Sequence, residues 1–389
     1  MTDHPDEAGA RRASQTAGPE GAARTGRRPD ADAAAPSPGA REAFPPGDGG
    51  LVAMFRRGDG LPMPLVVSVL GALVLALLVS SLAIGYAPID FGAAVRQVIR
   101  GEDGIPAVVL MELRLPRALL GALVGFSLGL TGAALQGLSR NPLADPGVVG
   151  ISGAAALGAV VTFYFGLSAL FPLALPLGGL VGAGLATALL LALARQRVST
   201  TGLILAGVAV NSLAGALTAL ALNLSASPYA TLEIVYWLMG SLADASLQHV
   251  WLALPFIALG TLLTLSSGRA LDALTLGEDT AASLGFSLRR TRLLVVAGTA
   301  AAVGAAVSVA GAIGFVGLVV PYLTRPLVGH RPGRVLLVSG LAGAALTLGA
   351  DIVVRLVPSR PELKLGVVTA LVGAPFFFLL LLRLKDQPE

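Results

Sequence analysis

From Ala118 to Leu138 the sequence carries no ionisable side chain. At about 1.5 Å per helical residue, roughly 20 such residues cross the hydrocarbon of a bilayer, so the run predicts a transmembrane helix. Its glycines at Gly121, Gly125 and Gly129 recur every fourth residue, which lines one face with small side chains and lets a neighbouring backbone come close. That face is expected to pack against protein. After Leu138 the chain turns polar through Arg140-Asn141-Pro142-Leu143-Ala144-Asp145-Pro146-Gly147, then apolar again. Pro142 and Pro146 lack backbone donors and bias the preceding residues away from helix. Asn141 and Asp145 can bond nearby backbone amides, so the polar stretch reads as a structured corner between two membrane-length segments.

A chain of 389 residues that is 54% hydrophobic and only 13% charged cannot hide that much apolar surface in a soluble core, and this places it in lipid. Ten apolar segments follow from the span rule: Met63 to Pro88, Ala118 to Leu138, Gly147 to Gly166, Pro172 to Ala194, Thr201 to Leu224, Val250 to Ser266, Leu293 to Ala312, Ile313 to Leu327, Val335 to Val357, and Leu365 to Leu384. They predict an all-α integral membrane protein, a polytopic bundle of about ten transmembrane helices. The seventh and eighth share a run from Leu293 to Thr324 without a charge, too long for one span and too short for two. A complete helix, a break at Gly311-Ala312-Ile313-Gly314 and a shorter returning helix are expected. Broken backbone at that depth is tolerated only where protein or a watery cavity surrounds it.

Residues 1–60, rich in Ala, Gly, Pro, Asp and Arg with no apolar period, are expected to form a disordered cytoplasmic tail, leaving 61–389 as the membrane domain. The long charged lead and the lack of a small-residue cleavage site after the first apolar run argue against a signal peptide. With the tail inside, loops and helix ends on its side hold 14 basic residues against seven on the other, which supports both termini in the cytoplasm. Arginines at helix ends account for the net charge of +4, and no basic patch interleaved with aromatics suggests a nucleic-acid partner. With no cysteine, neither a disulfide framework nor a thiolate metal site is possible.

Several stretches carry a specific resemblance. Arg114-Leu115-Pro116-Arg117, the glycine-rich helix ending near Gln136, the corner from Asn141 to Gly147 and Gly150-Ile151-Ser152-Gly153-Ala154 together resemble the permease subunits of bacterial ATP-binding cassette importers for ferric siderophores, haem and cobalamin. The likeness continues through Gly311 to Leu318, Pro321, Arg325, Gly366 to Ala370 and Gly373 to Phe376, and so covers nearly everything after residue 60. Two positions depart from the family pattern: Tyr322 stands where histidine is usual, and Lys364 replaces a common proline. The resemblance implies a type II importer permease in the bacterial cytoplasmic membrane, paired with a second permease copy. ATP-binding cassette ATPase subunits inside and an extracytoplasmic substrate-binding protein outside would complete it, with no cofactor.

Arg114 and Arg117 precede the second span and Arg355 lies near the outer end of the ninth. Read from the residues alone they anchor helix ends at the headgroups; the resemblance implies that they receive carboxylates of the substrate-binding protein. Asp351 is the only acid inside a predicted span, and a charge in lipid is expensive. Arg355, four residues on, lies on the same helical face and supplies a partner, so Asp351 and Arg355 read as a structural ion pair. Asn141 and Leu143, with Ser199, Thr200 and Thr201, read locally as a Pro-rich turn and a helix N-cap. The resemblance implies that they line the inner gate of a path between two permease copies. Leu271, Asp272, Leu274, Leu276, Gly277 and Glu278, followed by Ala282, Leu284 and Gly285, alternate leucines with acids more than a surface linker needs. The resemblance makes this stretch the coupling element that inserts into the ATPase.

No glycine-rich sequence ends in Gly-Lys-Ser or Gly-Lys-Thr; the only lysines are Lys364 and Lys385, so a P-loop is excluded. Gly125-Phe126-Ser127-Leu128-Gly129 matches a nucleophile-elbow pattern, but its serine lies mid-span while His4, His249 and His330 lie outside the spans. The same histidine count argues against a membrane metalloprotease or an axial haem ligand. The resemblance implies a non-enzymatic permease for a ferric siderophore or similar metal chelate, with haem or cobalamin as alternative cargo. An ion-coupled secondary transporter is the rival from another class, and it would want several buried ionisable groups.

Overall fold

The computed structural model describes residues 60–195, 200–225, 227–357, 359 and 361–385. The tail expected over residues 1–60 lies outside them apart from Gly60, and so does Ser199 of the expected gate. Every regular element among the described residues is helical. In chain order these are α1 (Met63–Ala83), α2 (Phe91–Arg100), α3 (Ile105–Ser139), α4 (Ile151–Tyr164), α5 (Ala174–Arg195), α6 (Thr200–Asn223), α7 (Pro228–Leu238), α8 (Leu247–Ser266), α9 (Gly268–Leu274), α10 (Glu278–Ser283), α11 (Leu288–Ala310), α12 (Val316–Thr324), α13 (Pro332–Leu356) and α14 (Leu365–Lys385). Seven of them, α1, α3, α5, α6, α8, α11 and α13, are long and apolar enough to cross a bilayer. Three shorter apolar stretches, in α4, α12 and α14, bring the apolar segments to the ten that the sequence predicts.

The second span differs most from expectation. It begins at Ile105 rather than Ala118, so Glu112, Arg114 and Arg117 ride within the helix. Pro116 has no N–H to offer the turn before it, and the backbone answers with a π-helical turn over Val109–Arg114, where the Leu115 N–H reaches back to the Leu110 carbonyl. The first span ends at Ala83, not Pro88, because Ile84 is extended. The third begins at Ile151, after a 3-10 turn over Pro146–Val149 that Asp145 caps. The short helices α2 and α7, ten and eleven residues, were not expected; at about 1.5 Å per residue neither can cross a membrane.

The core is the seam between α3 and α13. A Cβ on Gly125 would collide with the Gly343 carbonyl oxygen, and one on Gly129 with that of Ser339, so the two backbones touch there. Gly121, on the same face, meets only the side-chain ends of Leu242 and Leu348. Gly132 meets the Gly317 carbonyl, bringing α12 against the same helix. In lipid, packing and not water exclusion holds helices together, and small residues maximise it. Equivalent close approaches join α4 to α5 at Gly158 and Gly182, and α8 to α11 at Gly260 and Gly298.

The expected break after α11 is present. Gly311 (φ 70°) and Phe315 (φ 67°) both hold left-handed backbone, and helix resumes at Val316. The Ser241 N–H satisfies the Ala310 carbonyl at 2.8 Å, and a Cβ on Gly311 would collide with the Trp237 carbonyl. The Ala310–Gly311 side of the break is therefore enclosed by protein, while Gly314 on its far side is exposed.

Candidate functional site

At one end of the bundle the last turn of α1, the start of α3, the end of α13 and the loop after α13 converge on a set of buried charges. Arg114, 5% exposed, donates to the carbonyls of Leu82 (2.8 Å), Ala83 (2.7 Å) and Ala87 (2.6 Å). Arg355, 6% exposed, donates to those of Ser81 (2.8 Å) and Ile84 (2.7 Å). Two guanidiniums thus cap the carbonyls that the end of α1 leaves unpaired, where its dipole favours positive charge. Asp351, 1% exposed, accepts from Arg355 at 2.9 Å and from Arg117 at 2.9 Å. Arg117 also pairs with Glu362, whose side chain is the most exposed of the set at 21%. Of the three guanidiniums, those of Arg117 and Arg355 pair with the two carboxylates, and that of Arg114 is held by carbonyls alone.

The ion pair of Asp351 with Arg355 stands where the sequence places it, but Asp351 has a second partner in Arg117, 234 residues away along the chain. The three arginines expected to face a docking partner are brought together, yet their guanidiniums are turned onto intramolecular acceptors. Glu362 and Ser81 were missed; neither carries a sequence signal, since both join the site only through the fold.

At the opposite end lies the polar corner. Arg140 (φ 51°) ends α3 in left-handed backbone. Asn141 Oδ1 accepts the Leu143 N–H at 2.9 Å, and Asp145 Oδ1 accepts the Gly147 N–H at 2.7 Å, two Asx turns in succession. Burial raises the Asp145 carboxyl above the ordinary carboxylate range, and the Gly147 N–H opposes that shift. Asn141 is exposed and Leu143 half-buried. Thr200 opens α6, and the Thr201 side chain is exposed. The corner and the first turns of α6 do meet: Ala144 and Asp145 share an apolar crevice with Leu203 and Ile204.

The expected coupling stretch folds as the short helices α9 and α10. Leu271 and Leu274 are buried and hold the element to the bundle. Asp272 accepts the Gly333 N–H at 2.7 Å, capping the start of α13, and Glu278 pairs with Arg292 at 3.2 Å. Leu276 (64%) and Leu284 (58%) are exposed, as are Ala282 and Gly285. Gly277 (φ 106°) and Gly285 (φ 86°) make the turns on either side of α10. One leucine pair therefore serves the fold and the other faces outward. Of the two departures from the family pattern, Tyr322 stands edge-on to Phe376 at 5.8 Å between ring centres, and the Lys364 ammonium lies 5.4 Å from the centre of the Tyr236 ring. No group of three or more His, Cys, Asp or Glu side chains among the described residues could hold a metal.

Among the described residues, seven helices long enough to cross a bilayer, three shorter apolar stretches and a broken helix define a polytopic α-helical membrane protein. Residues 72–383 match the FecCD transport family, and the chain belongs to that family. It is 42% identical over 296 residues to the uncharacterised ABC transporter permease protein YvrB of Bacillus subtilis (strain 168), covering 73% of this chain and 82% of that one. It is 43% identical over 297 residues to the vitamin B12 import system permease protein BtuC of Klebsiella pneumoniae, covering 74% and 89%. The cobalamin import system permease protein BtuC of Halobacterium salinarum is 41% identical over 286 residues, covering 72% and 76%. Among solved structures, a metal-chelate type ABC transporter in an inward-facing conformation superposes with a TM-score of 0.72 at 31% identity, covering 82% of this chain and 99% of that one.

Proposed function

We propose that this chain is the transmembrane subunit of an ATP-driven importer, resident in the cytoplasmic membrane with both termini inside. Two copies form the path, two ATPase subunits bind inside and a substrate-binding protein delivers cargo outside. The observation that carries the reading is the outward pair Leu276 and Leu284, displayed on an otherwise polar element that Leu271 and Leu274 fix to the bundle. Exposed leucines on such an element suit a protein groove. ATP hydrolysis falls to another chain, since this one has no P-loop. Asn141, Leu143, Ser199, Thr200 and Thr201 form the inner gate, which opens by movement of whole helices.

The cargo is a bulky metal chelate. Cobalamin is the first candidate, because relatives more than 40% identical carry that name; a ferric siderophore is the second, on the motifs shared with that wider family, and haem the third. The test is reconstitution in proteoliposomes with the ATPase and binding protein that partner this chain, offering labelled cyanocobalamin and labelled ferric siderophore in parallel. ATP-dependent uptake of one and not the other names the cargo. Failure to transport either of these chelates, and haem offered in the same way, would remove the reading.

At the outer face Arg114, Arg117 and Arg355 receive the binding protein's carboxylates by exchange. Glu362 is the most exposed member of that charge set and the one a partner carboxylate can replace on Arg117. Glu362→Gln should therefore tighten capture of the binding protein in a pull-down. Unchanged or weaker capture counts against docking at these arginines.

A further inference from the structure

At the end of the bundle that carries α9 and α10, a cavity of about 350 Å³ opens between the end of α3, the turn that follows α12 and the start of α13. Its polar lining is cationic or neutral: Arg140, Arg325, His330, Gln136 and Thr275, with no carboxylate among the described residues. Arg325 is half-buried, and its guanidinium donates to the Gln136 side-chain oxygen at 2.7 Å. Among the described residues it forms no ion pair. Gln136 is itself 1% exposed and held by its amide nitrogen to the Leu318 carbonyl at 3.2 Å, so the oxygen facing Arg325 is fixed in place. The nearby acid, Asp272, accepts the Gly333 N–H at 2.7 Å and does not line the cavity. Arg140 (φ 51°) and His330 (φ 60°) both hold left-handed backbone, which residues other than glycine adopt at a cost. Strained backbone thus recurs at two of the three positions that bring basic side chains here.

A partly desolvated cation without a counter-ion is unfavourable, and an anion in the cavity would relieve it. Guanidinium groups match phosphate oxygens in geometry as well as charge. Basic pockets between membrane helices are where anionic lipid headgroups bind. The remaining wall, including Ala133 and Val335, is apolar and suits the part of a lipid below its headgroup. We propose that this cavity binds a phosphate group, carried by an anionic phospholipid. The site lies between the family's gate corner and its coupling element and is independent of the cargo.

The test uses the full chain purified in detergent, titrated with dioleoyl phosphatidylglycerol or dioleoyl phosphatidylcholine and read by native mass spectrometry. Phosphatidylglycerol is expected to bind on the order of tenfold more tightly, and Arg140→Gln to lose about fivefold of that preference. Arg289→Gln, an exposed arginine outside the cavity, should leave it unchanged. Arg140 is exposed and its replacement keeps the fold, whereas Arg325 also braces Gln136. Should millimolar inorganic phosphate raise the melting temperature of the parent chain but not of Arg140→Gln, with no lipid preference, the phosphate site stands and its source is solution. No lipid preference and no phosphate effect would overturn the proposal, and so would equal losses in Arg140→Gln and Arg289→Gln.

Discussion

Asp351 shows how much one side chain can hold. Its carboxylate is the common acceptor of Arg117 and Arg355, each at 2.9 Å, and all three groups are under 10% exposed. Asp351→Asn leaves the buried Arg355 without a counter-charge and Arg117 with Glu362 alone, and breaking one side of a buried pair costs about 3–5 kcal/mol. A clear drop in the melting temperature of the purified chain is expected. By contrast, Arg100→Gln removes the 3.7 Å contact with Glu102 between two exposed side chains and should leave the melting temperature unchanged. A four-residue spacing made the Asp351–Arg355 pair legible in the sequence. Arg117 was legible as a charge near a helix end but not as a partner, because spacing along one helix says nothing about a residue on another.

At the scale of elements, the glycines of α3 divide by what faces them. Gly129 meets backbone, which cannot yield, so Gly129→Ala should cost about 1–3 kcal/mol or more through overpacking of the α3–α13 seam. Gly121→Ala meets the ends of two leucine side chains at 3.3 Å, which can turn aside, and its melting temperature should fall by less. The every-fourth-residue pattern identified the face but could not say which glycine touches backbone, since that depends on where α13 crosses. The same limit applies to α9 and α10. Leu271→Ala should cost about 2–5 kcal/mol, because Leu271 is fully buried. Leu284→Ala should leave stability intact and weaken stimulation of the ATPase. Both leucines look alike in the sequence; only the fold separates the one that holds the element from the one it displays. The helical break at Gly311–Gly314, in turn, was legible because a charge-free run of its length admits few alternatives, whereas the early start of α3 was hidden by Glu112, which is exposed, and by Arg114 and Arg117, which are buried within the helix.

For the molecule as a whole, the choice between an ATP-driven and an ion-driven transporter turns on what could carry the coupling ion. Proton or sodium coupling needs carboxylates free to bind the ion within the membrane-spanning part. Among the described residues, the spans that cross at full length hold Glu112, exposed near the start of α3, and Asp351, whose two oxygens are both engaged by guanidiniums. Neither arrangement offers an enclosed, vacant carboxylate. The permease alone in sealed vesicles, given a proton or sodium gradient and an internal trap for the chelate, should therefore accumulate nothing above equilibrium. Adding the ATPase, the binding protein and ATP should start accumulation, and Leu276→Asp with Leu284→Asp should stop it while the protein remains folded. Gradient-driven accumulation by the chain alone would show that an ion site exists among its own helices and would refute the ATP-driven reading.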